Sequence, residues 1–130
     1  MILFDSLAHP TCNGTWIRGK PGESFSSVVK NLNSVGAIGA CAVGLPNIGD
    51  YNHNDFFDQA QDFPQLFPVA AYTGQDGTVR DIERIAKIGF KALKVHPRLL
   101  SMHPKAEMLS PIFEVAHDIG LIVFLCTYYH

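Results

Sequence analysis

The opening run Ile2-Leu3-Phe4 leads straight into Asp5, and His9 follows four positions later. A carboxylate beside an imidazole can work as an orienting partner and a general base, and the imidazole can also ligate a metal. A second group closes the apolar run Phe90-Lys91-Ala92-Leu93-Lys94-Val95, where Lys94, His96 and Arg98 supply two fixed cations and another imidazole. Other polar residues stand at the ends of similar runs: Asn47 and Asp50, then Tyr72, Thr73 and Gln75, then Thr127, Tyr128 and His130. Asp5, His9, Lys94 and His96 are therefore candidate catalytic groups. Asn47, Tyr72, Arg98 and His130 are candidate substrate contacts.

Each of these residues also has an ordinary structural role open to it. Asp5 can cap a turn through backbone amides, and His9 before Pro10 can be a loop residue. Lys94 either snorkels from the outside of a sheet or is buried, and an unpaired buried ammonium is costly enough to imply a use. His96-Pro97 can simply end a strand. His53, His103 and His117 fall on expected helices or loops and read as solvent-facing. Trp16, Phe56, Phe57 and Tyr72 read as packing groups, and Cys126 as a core residue.

The elements that would position these groups follow from the apolar pattern. Five short, nearly continuous apolar runs, at 2–4, 37–45, 67–72, 90–95 and 121–126, read as strands covered on both faces. Between them, Phe25, Val28, Val29 and Leu32 repeat at helical spacing, with Gly36 as the stop. Residues 54–60 form a weaker helix with Asn or Asp as its cap. A clear helix runs from about Thr78 to Gly89, and another from Glu107 to Ile119 before Gly120. Pro111 belongs in a first turn, which would move the start of that last helix towards Ser110. Strand, helix, glycine and strand then recur as the βαβ unit of a parallel sheet.

Two architectures fit this order. One is the first five strands of a (β/α)8 TIM barrel, which needs roughly 250 residues to close. The other is an open, flavodoxin-like parallel sheet. The sequence ends at Thr127-Tyr128-Tyr129-His130, at the mouth of the fifth strand with no helix to cover it, and this favours the barrel. Length and composition predict one α/β domain over residues 1–130. Both architectures bind ligands at the carboxyl ends of the strands, where the candidate residues stand.

FDSLAHPT at 4–11, GFKALKVHP at 89–97 and GLIVFLCTYYH at 120–130 resemble the amidohydrolase-related family of the metal-dependent hydrolase superfamily. In that family the first strand ends in Asp-x-His-x-His, the fourth carries Lys-x-His-Pro, and the fifth ends in His-Thr-Gly. The resemblance implies a barrel hydrolase, or less directly a decarboxylase, acting on a small carboxylate- or amide-containing molecule. It also implies one divalent metal, Zn²⁺ or Mn²⁺, with His9 as a ligand. Two positions depart from the pattern: Leu7 stands where the first imidazole belongs, and Cys126 where the fifth-strand His belongs. Some relatives dispense with the metal and polarise a carbonyl with arginine, histidine and an acid. Asp5 and His9 would then be partner and base, with Lys94 as an electrostatic contact. The departures also admit a non-catalytic relative that serves as a binding or assembly module.

Composition narrows the remaining classes. Charged residues are 17% of the chain and the net charge is −2, with no basic cluster to track phosphates, so no nucleic-acid partner is expected. No apolar run approaches the roughly 20 residues of a membrane span. Three cysteines without short spacings argue against a disulfide framework and for the cytoplasm. Open strand edges would favour a homo-oligomer.

Overall fold

The computed structural model describes residues 1–103 and 105–127. Five strands, β1 (Phe4–Ala8), β2 (Gly39–Val43), β3 (Leu66–Ala71), β4 (Ala92–Val95) and β5 (Ile122–Leu125), pair in parallel in the order β1-β2-β3-β4-β5. Helices α1 (Phe25–Ser34), α2 (His53–Gln61), α3 (Thr78–Ile88) and α4 (Ala106–Ile119) make the crossovers. Sequential order with crossovers of one hand places every helix on the same side of the sheet. The packing follows: side chains from all four helices share one core with Ala40, Ala42, Ala70, Leu93 and Val95. The opposite face carries its own layer of Cys41, Val43, Val69, Ala92 and Phe124. The domain is thus a curled five-stranded parallel sheet, half of a barrel. Its sheet is open at β1 and β5 among the described residues, as the open-sheet alternative also expects.

Small residues let the helices approach. Ala40, Ala42 and Ala70 have no exposed surface, and Phe25, Phe56, Phe57 and Phe90 fill the space above the sheet. Phe25–Phe56 and Phe57–Phe90 meet edge to face at 4.9 Å between ring centroids, an arrangement worth about 0.5–1.5 kcal/mol per pair beyond area burial. Ser24 caps α1 by accepting from the Ser27 amide, and Asn52 caps α2 by accepting from the Asp55 amide. Helix α4 ends at Gly120 in the left-handed region (φ 83°). There Leu121 N–H reaches the Ala116 carbonyl and Gly120 N–H reaches that of His117, a Schellman closure.

Three expectations need correction. Strand β1 covers Phe4–Ala8, so Asp5 lies within it, not beyond its end. Pairing with β2 carries the strand through the polar residue, because on this outermost strand Asp5 and Leu7 stay exposed. Helix α4 starts at Ala106, and Pro111 is its sixth residue, outside the first turn. Pro111 is exposed, so the carbonyl it leaves without a helical donor, that of Glu107, lies on the solvent side. His53 is the third correction: it opens α2, is 7% exposed and is bonded on both ring nitrogens. His103 and His117 are exposed, as expected.

Candidate functional site

A cavity of about 410 Å³ opens at the carboxyl ends of the strands. Its polar lining is His9 after β1, Lys94 in β4, and His96 and Arg98 just beyond it. Leu7, Trp16, Ile17, Leu45 and Leu99 supply apolar lining, with Cys126 just beyond β5. The strand register explains the convergence. Ala92 and Lys94 alternate with Leu93 and Val95, so when the latter two face the helices, Lys94 must face the concave side. Lys94 is 7% exposed, and among the described residues no acid lines this cavity.

The two imidazoles are held in complementary states. His9 Nδ1 lies 2.8 Å from the Val43 carbonyl oxygen, which can only accept, so Nδ1 carries the proton and Nε2 keeps its lone pair. The Leu99 amide donates to His96 Nδ1 at a long 3.4 Å, which leaves the proton of the neutral ring on Nε2. Burial lowers the pKa of His9, and the Lys94 ammonium adds to this against the upward pull of the Val43 bond and the Asp5 charge. Burial likewise lowers His96, helped by Lys94, His9 and Arg98. Both rings are therefore neutral at pH 7, one a base and the other a donor.

The other candidates are placed elsewhere. Asp5 lines a separate cavity of about 450 Å³ between β1 and α1, which His9 also borders. Its carboxylate accepts from the Leu7 amide at 2.9 Å, so the partner that orients His9 is the Val43 carbonyl. Asn47 is exposed on the turn after β2 in a left-handed conformation (φ 61°) and lines none of these cavities. Tyr72 is buried in the helix-facing layer, its hydroxyl 2.9 Å from that of Thr78. Cys126 is half-buried and borders the cavity instead of lying in the core. His130 lies outside the described residues.

Trp16, Ile17, Leu45 and Leu99 are site residues that the sequence did not reveal. Also unforeseen is a buried polar chain at the end of β3. The Ala71 amide donates to the Tyr51 hydroxyl (2.8 Å), which lies 2.8 Å from His53 Nδ1, and His53 Nε2 lies 2.9 Å from Asp81 Oδ1. The Asp81 carboxylate also accepts from the amides of Thr73 (2.8 Å) and Gly74 (3.0 Å) and from the Thr73 hydroxyl. Burial alone would raise the Asp81 pKa. The bonds from His53, Thr73 and Gly74 outweigh burial and hold it below the ordinary value.

Among the described residues no three of His, Cys, Asp and Glu come together as metal ligands. His9 and Cys126 share the cavity, but Leu7, which also lines it, offers no donor atom. These residues do not make the three-ligand set that a catalytic zinc uses. No helix among the described residues is long and apolar enough to cross a membrane. No protein-family model, curated protein or solved structure matches the chain.

Proposed function

We propose that the protein is an amidohydrolase-type hydrolase that acts on a small carboxylate- or amide-containing molecule in the cavity at the strand ends. The observation that carries this is the convergence of His9, Lys94, His96 and Arg98 on one cavity with no acid among them. The sequential half-barrel supports a (β/α)8 fold, whose active sites lie at this end of the strands. Self-association through the free edges of β1 and β5 belongs to the same proposal.

In this reading the substrate carboxylate sits on Lys94 and Arg98. His9 Nε2 takes a proton from water as the water oxygen bonds to the scissile carbonyl carbon. The oxyanion that forms is met by His96 Nε2–H and the Lys94 ammonium, charge stabilisation inside a partly dry cavity. His9 then returns the proton to the leaving nitrogen as the carbon–nitrogen bond breaks.

The test is hydrolysis of a panel of small N-acyl amino acids and cyclic amides by the wild type, His9→Gln and Lys94→Met. Loss of the base is expected to lower kcat by about 10²–10⁴-fold, and loss of the cation to raise KM for carboxylate substrates. A His9→Gln protein with wild-type kcat would overturn the proposal.

A further inference from the structure

We propose that the cavity takes an amphipathic anion, one carboxylate carrying a compact apolar body, and that Trp16 is the residue that selects the body. This rests on the strand-end cavity being the substrate site. The lining is of two kinds: the cations Lys94 and Arg98 lie in and just beyond β4, and Leu7, Trp16, Ile17, Leu45 and Leu99 supply a larger apolar surface. Lys94 has no hydrogen-bond or ion-pair partner among the described residues, and a buried ammonium in that position calls for an anion.

A bare anion does not account for the remainder. The volume of about 410 Å³ compares with about 30 Å³ for one water in the liquid, far more than acetate fills. Leu7 and Ile17 are 47% and 41% exposed, so an acetate or phosphate would leave this surface wet, whereas an apolar body would cover it.

Trp16 is built to stay in place. Its amide donates to the Lys20 carbonyl at 2.6 Å and its carbonyl accepts from the Gly19 amide at 3.1 Å, which closes a tight turn at Ile17–Gly19. The preceding residues are tied by the Asn13 side chain, which accepts from the Thr15 amide and donates to Asp50. The Trp16 ring centroid lies 6.1 Å from that of His9. A ligand body resting on the indole therefore sits beside the proposed base, with its carboxylate at Lys94 in the same cavity. Leu7, which cannot ligate a metal, acquires a role as part of the apolar lining.

Trp16 is the only tryptophan in the chain and lines this cavity, so a ligand resting on it should change the emission. The probes are cyclohexanecarboxylate, its uncharged amide, and acetate. Cyclohexanecarboxylate is expected to give a saturable blue shift, half-complete at about tenfold or more lower concentration than either of the others requires. By calorimetry, Trp16→Ala is expected to bind cyclohexanecarboxylate no better than acetate while its acetate affinity stays at the wild-type value, which also reports an intact fold. Equal binding of acetate and cyclohexanecarboxylate by the wild type, or saturable binding that leaves the emission unmoved, would overturn the proposal and leave the site standing. Equal binding of the amide would overturn its anionic half. If neither anion binds, the assignment of the cavity as a substrate site fails with it.

Discussion

His9 and His96 show how one cavity can hold a base and a donor made from the same side chain. A carbonyl on Nδ1 of the first and an amide on Nδ1 of the second fix opposite tautomers, and burial beside Lys94 keeps both rings neutral. Activity that depends on neutral His9 should therefore persist below the ordinary imidazole pKa of about 6.5 and fall only as pH drops through the lower folded value. The slope of log kcat/KM against pH checks this, and Lys94→Met should move the acid limb upward by removing the cation that disfavours protonation. Stability carries the same sign. A depressed imidazole contributes fully above the unfolded pKa and loses its contribution as pH falls through the folded one. The sequence disclosed Lys94 and His96 because a polar residue interrupting and ending a short apolar strand has few places to go. It did not disclose Trp16 or Leu99, since nothing local tells which loop residue leans over a distant strand end.

Asp81 is the clearest case at the scale of elements. It ties α3 to the loop after β3 through Thr73 and Gly74, and to α2 through His53. Removing a buried, charge-assisted partner of this kind costs about 3–5 kcal/mol, so Asp81→Ala should shift the urea midpoint by the matching amount. Its folded pKa is depressed, so the stabilisation is complete above the unfolded value near 3.9 and disappears as pH falls through the folded one. The wild type should lose stability across that acid window, and the variant should not show that loss. Sequence patterns recovered β2 to β5 and all four helices because continuous apolar runs and glycine stops are local signals. They misplaced β1, whose Asp5 and Leu7 remain exposed on an edge strand, and the expectation that Pro111 opens α4 missed the packing of Leu109 and Ile112 that carries the helix back to Ala106. The His53–Asp81 pair spans 28 positions and left no local trace.

For the whole molecule, the decisive feature is a curled parallel sheet whose helices all lie on one side and whose outer strands end in free edges among the described residues. Ile122 on β5 is 59% exposed, the kind of apolar edge position that recruits another strand. Sedimentation equilibrium should give a mass above the 14.3 kDa of one chain that rises with concentration, and Ile122→Lys should return it towards the single-chain value. A mass that stays at one chain throughout would mean that the edges are closed by other means.

The central claim is that His9, His96 and Lys94 form one anion-receptive site. It is tested most directly by titrating the histidine ring signals in NMR with and without a carboxylate ligand. In the free protein two rings, identified through His9→Gln and His96→Gln, should titrate below about 6.5, and saturating cyclohexanecarboxylate should raise both values, because a bound anion favours imidazolium. Two rings that titrate near the ordinary value and do not respond to the ligand would contradict the account.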